Sequence, residues 1–156
     1  MAKQFDVIVI GAGPGGYTAA LKAAEFGLKV AVIETKKIGG TCVNRGCIPT
    51  KALLYASGMF RMMQNCDEFG VSTDFISFDF QKMQSYKKKA VDRYRGSVEG
   101  LFEKNHVEVI YGKGTLRRGR TVEVPLKETV AIYPCRAMIN GIFSDTEPAV
   151  RSADHL

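Results

Sequence analysis

A short run of β-branched and aromatic residues, Phe5 to Ile10, meets the turn Gly11-Ala12-Gly13-Pro14-Gly15-Gly16, and this junction constrains the chain more than any other feature. Gly15 to Glu25 then carries small and apolar residues at helical spacing, and Lys29 to Ile33 is apolar again. The pattern predicts strand, helix, strand. Continuous apolar strands flanking a helix imply a parallel pair buried on both faces, and the right-handed crossover rule makes the segment one βαβ unit. Gly27 suits the end of the helix. The predicted fold class is therefore α/β, a Rossmann-like nucleotide-binding domain with a parallel sheet.

In that context the GxGxxG string has a mechanism. Gly11 permits the tight turn, Gly13 lets backbone approach a pyrophosphate, and Gly16 lets the helix pack closely on the strand. The helix start, with about half a positive charge from its macrodipole, would hold phosphates, so Gly11, Gly13, Pro14, Gly15 and Gly16 are candidate cofactor-binding residues. Glu34 closes the second strand, where a carboxylate can accept hydrogen bonds from both ribose hydroxyls and would repel a 2′-phosphate. The motif alone does not separate FAD from NAD, since both present the same adenosine pyrophosphate.

Length and composition agree with a globular domain: 156 residues, 46% of them hydrophobic, are enough for a core. The apolar runs are far too short to span a bilayer of ~30 Å, and Asp6 interrupts any secretory pattern, so no membrane contact and a cytoplasmic location are expected. The net charge of +6 gathers in Lys87, Lys88, Lys89, Arg93 and Arg95 and in Arg117, Arg118 and Arg120. A solvated helix face and a basic turn account for it without nucleic acid.

Farther along, Leu53, Leu54, Ala56, Met59, Phe60 and Met63 recur at three and four, predicting a helix from Ile48 to Met63 with these side chains in the core and Pro49 in its first turn. A second helix is expected from Phe80 to Asn105, with Tyr94, Val98, Leu101 and Phe102 on its buried side. Val107 to Tyr111 reads as a strand broken by Gly112 and Gly114. Thr121 to Val124 and Thr129 to Tyr133 read as short strands of a small antiparallel excursion.

The segment Gly39-Gly40-Thr41-Cys42-Val43-Asn44-Arg45-Gly46-Cys47-Ile48-Pro49-Thr50-Lys51 resembles the redox-disulfide signature of the FAD-dependent pyridine nucleotide-disulfide oxidoreductases. Its Ile-Pro-Thr-Lys ending is closest to the dihydrolipoamide dehydrogenase branch; mercuric and glutathione-type reductases are the alternatives within the family, and a non-catalytic dinucleotide-binding remnant is the alternative outside it. The resemblance implies FAD as cofactor, with Cys47 as the thiol beside the flavin and Cys42 as the interchange thiol facing the substrate. It also implies cofactor contacts from Gly39, Gly40 and Thr41, Lys51 at the flavin edge, and Gly112 and Gly114 near the adenine. For the parent enzyme it implies oxidation of protein-bound dihydrolipoamide with NAD as final acceptor, a homodimer, and lipoyl domains of 2-oxo acid dehydrogenase complexes as partners.

Spacing adds a physical condition. Residues five apart on a regular helix lie ~7.5 Å apart along the axis, beyond the ~7 Å limit for bridged Cα atoms. Cys42 and Cys47 can bond only if the chain between them is irregular, and Asn44 and Gly46 are the residues that would allow it. Pro49 places a helix start just beyond Cys47, which should favour thiolate there. A zinc site is disfavoured because Cys66, Cys135, His106 and His155 form no ligand-like pair; no metal is expected, and Cys66 and Cys135 read as ordinary buried thiols.

The likeness runs from Phe5 to about Thr121. Ser152 to Leu156 resembles the approach to the family's Ala-Thr-Gly turn, and residues 125–151 fit no family pattern. The expectation is a partial, truncated FAD-binding domain over 1–156, lacking the NAD-binding and interface domains, inactive by itself and weak in flavin retention.

Overall fold

A computed structural model describes residues 3–125 and 130–141. The order of elements is β1 (Phe5–Ile10), α1 (Pro14–Glu25), β2 (Val30–Glu34), α2 (Gly40–Asn44), α3 (Cys47–Gln64), a 3-10 turn (Cys66–Phe69), α4 (Phe80–Lys104), β3 (Glu108–Tyr111), β4 (Thr115–Arg117), β5 (Thr121–Pro125) and β6 (Val130–Asn140). They form two compact units: one from the start to Gly40 together with the residues from Gly96 onward, the other Thr41–Arg95. Among the described residues no helix is long and apolar enough to cross a membrane.

The first unit is built on one sheet in the order β3-β2-β1-β6-β5-β4. β1 pairs in parallel with β2, Val7 opposite Val30 and Ile10 opposite Ile33, and β2 pairs in parallel with β3. The predicted βαβ unit is present, and Gly27 at φ +76° ends α1 as expected. The apolar residues of β1 and β2 divide between two cores. Val7, Val9, Val30 and Val32 pack with Ala20 of α1 and with Val98 and Phe102 of α4. Ile8, Ile10, Ala31 and Ile33 pack with Ile110, Val122 and Val124. Strands read as unbroken apolar runs because both faces are covered.

β6 serves two ladders. Its first part, Val130 to Pro134, is antiparallel to β5, and Cys135 to Asn140 runs parallel to β1, Phe5 opposite Cys135 and Ile10 opposite Asn140. Pro134 lies at the changeover, where its missing N–H costs least. The antiparallel excursion is thus β4, β5 and the front of β6, folded over the second apolar face. The return strand beside β1 is Cys135–Asn140, within the stretch 125–151 that was expected to fit no family pattern; Ser152 to Leu156, His155 and positions 126–129 and 142–151 lie outside the described residues.

Two expectations about the helices need correction. In α3 only Pro49 and Ala52 are buried, while Leu54, Met59 and Met63 are exposed, so these are not core residues. Helical periodicity marks an apolar face without saying what covers it. In α4, Val98 and Phe102 are buried as predicted, but Tyr94 and Leu101 are exposed and Val91 is buried instead. The buried stripe is narrower than the apolar one. Asp79 precedes α4, and its carboxylate accepts the Lys82 amide at 3.0 Å; that bond holds the Asp79 carboxyl below its usual range.

Phe102 is 1% exposed and fills the helix side of the sheet. Phe102→Ala should cost about 3–5 kcal/mol in chemical denaturation, the usual range for removing a buried ring.

Candidate active site

The glycine turn is set by close approach. A Cβ on Gly16 would overlap the Gly11 carbonyl oxygen, so α1 reaches β1 only because residue 16 has none. Gly11 itself takes φ +95°. Gly13 caps α1 in extended conformation with Pro14 at the first helical position, no side chain caps the helix, and its first turn holds no acidic residue. The first-turn N–H groups of a helix have no intrahelical partners. A Cβ on Gly15 would meet nothing within 4 Å, and one on Gly13 only the Gly141 oxygen at 4.0 Å. Glycine at 13 and 15 therefore keeps clear a space that the packing does not need, and open amides at its floor suit a pyrophosphate.

Glu34 is buried, 8% exposed, with both oxygens engaged: Oε2 accepts the Ala12 amide at 2.9 Å and Oε1 the Lys36 amide at 2.9 Å. It ties the glycine turn to the turn after β2. Gly39 donates its amide to the Ala12 oxygen at 2.8 Å, and Gly40, at φ +58°, would bring a Cβ within 2.9 Å of the Gly13 Cα. Gly39 and Gly40 thus join the glycine turn. Gly112 and Gly114 are placed by packing: a Cβ on the first would run into Val124, and one on the second would lie 3.2 Å from Ile33.

Sequence reasoning missed Gly141. Its amide donates to the Ile10 oxygen at 2.8 Å, and a Cβ there would come within 2.9 Å of the Gly16 Cα and 3.0 Å of the Gly11 oxygen. The lone glycine closing the apolar run Ala137 to Ile139 was the available signal.

In the second unit, Cys42 and Cys47 form a disulfide with Cα atoms 4.7 Å apart. The required irregularity falls at Arg45 and Gly46, between α2 and α3. The Thr41 carbonyl accepts the amides of both Arg45 and Gly46 at 2.8 Å, winding the chain back on itself. A Cβ on Gly46 would sit 3.3 Å from that oxygen and 3.4 Å from the Cys42 Cα, so the loop is tight at this residue. α3 starts at Cys47 itself, earlier than the sequence suggested, with no side-chain cap. That sulfur stands at the positive end of an 18-residue helix. Cys42 is half-buried, Cys47, Thr41 and Lys51 are exposed, and Lys51 lies in the second turn of α3. Cys66 and Cys135 are both buried, and burial pushes the Cys135 thiol up, partly offset by Arg120. His106 is exposed. Cys135 has the character of an inert thiol.

A parallel βαβ unit with an open glycine turn, followed by a bridged cysteine pair at a helix start, defines the class of nucleotide-binding redox domains. The family model described as pyridine nucleotide-disulphide oxidoreductase matches residues 5–134, and the chain belongs to that family. It is 42% identical over 132 residues to the dihydrolipoyl dehydrogenase of Bacillus subtilis (strain 168), covering 85% of this chain and 28% of the relative. It is 41% identical over 139 residues to that of Chlamydia muridarum (strain MoPn / Nigg), covering 89% and 30%. Among solved structures, a copper(II) complex of a mutant of the HOCl-induced flavoprotein disulfide reductase RclA from Escherichia coli superposes with TM-score 0.68 at 26% identity, over 90% of this chain and 28% of that one. The chain therefore spans about three tenths of the length of these relatives.

Glu34→Gln keeps the shape but offers one acceptor oxygen in place of two, leaving one of two backbone amides unsatisfied. Chemical denaturation should show a loss of about 1–3 kcal/mol, the cost of an unmade bond at a buried group.

Proposed function

We propose that this chain is the FAD-holding, disulfide-bearing part of a dihydrolipoyl dehydrogenase. The observation that carries the reading is the Cys42–Cys47 bridge at the start of α3. The relatives at 41–42% identity bear that enzyme's name, which favours it over other reductases of the family.

The redox step needs only thiol exchange. A thiolate of dihydrolipoamide attacks the Cys42 sulfur, the Cys42–Cys47 bond breaks, and Cys47 leaves as thiolate. The second substrate thiol, once deprotonated, displaces Cys42 from the mixed disulfide, closing the lipoamide ring. Two electrons have then moved from substrate to the cysteine pair. The end of α3 stabilises the Cys47 thiolate, which makes it the better leaving group.

FAD, when bound, supplies the acceptor between this dithiol and NAD⁺. The amides of the Gly11–Gly16 turn would hold its pyrophosphate. Glu34 accepts two amides and the Thr35 hydroxyl, and with about four acceptor sites on a carboxylate it keeps capacity for a ribose hydroxyl. Gly39, Gly40 and Thr41 would add cofactor contacts, Lys51 would tune the flavin edge, and the Gly112–Gly114 turn would lie near the adenine. In the whole enzyme the reading places NAD as final acceptor, a homodimer, lipoyl domains of 2-oxo acid dehydrogenase complexes as partners, and a cytoplasmic location.

Anaerobic reduction of the flavin-loaded parent enzyme should produce a thiolate-to-flavin absorption band, and Cys47→Ser should abolish it while Cys42→Ser retains it. A band that survives in Cys47→Ser overturns the assignment of the two sulfurs.

A further inference from the structure

Asn44 lies between the two cysteines, at the end of α2, where the chain leaves helical geometry. An asparagine there tolerates the irregular backbone, but its amide also needs a partner if it is to stay in one place. The partner is far away in sequence. Arg95, in α4, donates from Nη1 to Asn44 Oδ1 at 3.2 Å. The same guanidinium donates from Nη2 to Asp92 Oδ1 at 2.6 Å, one turn earlier in α4. Its side chain is 22% exposed, well shielded for an arginine. Arginine suits this position because its planar fork can bind two acceptors at once, whereas lysine presents a single flexible point charge.

We propose that Arg95 is a positioning residue for the redox loop: held by Asp92, it fixes Asn44 and thereby keeps Cys42 and Cys47 within bridging distance. The inference rests on the reading of that pair as a working redox couple. When the disulfide opens, the ends of α2 and α3 are joined only by Arg45 and Gly46 and gain conformational freedom. An anchor on Asn44 limits that freedom in the dithiol, so less entropy is lost when the bond reforms. Arg95 therefore raises the effective concentration of one thiol toward the other, and so governs how readily the pair closes.

Closure can be measured by equilibrating the chain with glutathione and oxidised glutathione, quenching with an alkylating agent, and reading Cys42 and Cys47 by mass spectrometry. Each closure takes one oxidised glutathione and yields two glutathione thiols. Arg95→Ala and Asn44→Ala should each lower the closure constant about three- to tenfold, the range for losing one hydrogen bond of this kind. For a two-electron couple that is about 15–30 mV toward easier reduction. The double variant should fall no further than either single one, Arg95→Lys should recover part of the loss, and Lys89→Ala, at an exposed position of α4, should change nothing. Closure within twofold of wild type in Arg95→Ala overturns the proposal, as does an effect that adds in full to that of Asn44→Ala. Should Arg95→Ala fail to fold by circular dichroism, Asn44→Ala decides alone, and unchanged closure there overturns it equally. Cysteines 42 and 47 that remain thiols in wild type, even in fully oxidised glutathione, would instead sink the redox reading itself.

Discussion

The near-contact of α1 with β1 is the constraint on which the first unit depends. Gly16 has no room for a methyl group against the Gly11 carbonyl, and Gly141 closes on the same two residues from the end of β6. Three glycines, two from one turn and one from a strand far along the chain, thus meet where helix, first strand and return strand converge. The gap on the other side, past Gly13 and Gly15, follows from this convergence. A side chain at Gly15 would meet nothing there, and Glu34 locks the turn by taking the Ala12 amide.

The second unit solves a different problem with similar economy. Two sulfurs five residues apart must meet, and a continuous helix forbids it. The chain breaks its helix for two residues, and one carbonyl, that of Thr41, accepts both amides of the break. Starting α3 at Cys47 joins loop closure to helix electrostatics, since the residue that ends the loop also receives the helix's positive pole. Asn44 and Arg95 connect that loop to a helix half a hundred residues away.

The βαβ unit, the glycine turn, the acid at the end of β2 and the cysteine loop were all readable in the sequence, because each depends on local chemistry that particular residues impose. Glycines at 11, 13 and 16 carry a geometric requirement, and two cysteines with Gly46 between them carry another. What could not be read were the contacts that tertiary structure decides. The apolar stripe of α3 looked like core and is exposed at Leu54, Met59 and Met63. Tyr94 and Leu101 traded places with Val91 for the same reason: a helix's apolar arc is wider than the neighbour that covers it. Glu34 was read as a ligand-facing acid, yet in the fold it also serves as a brace for two turns. Gly141 escaped notice because its one signal, a glycine closing an apolar run, does not tell which residue it will meet.

β6 lies next to β1 in the sheet but is made long after it, Phe5 beside Cys135. A ribosome delivers β1, β2 and β3 long before the strand that fills the other flank of β1. Until it arrives, the most apolar strand of the sheet presents an unsatisfied row of amides and carbonyls to whatever is nearby. Pairings so distant in sequence close slowly. The nascent chain thus passes through an interval in which its centre is an edge, and shielding that flank during translation is the task this topology hands to the cell.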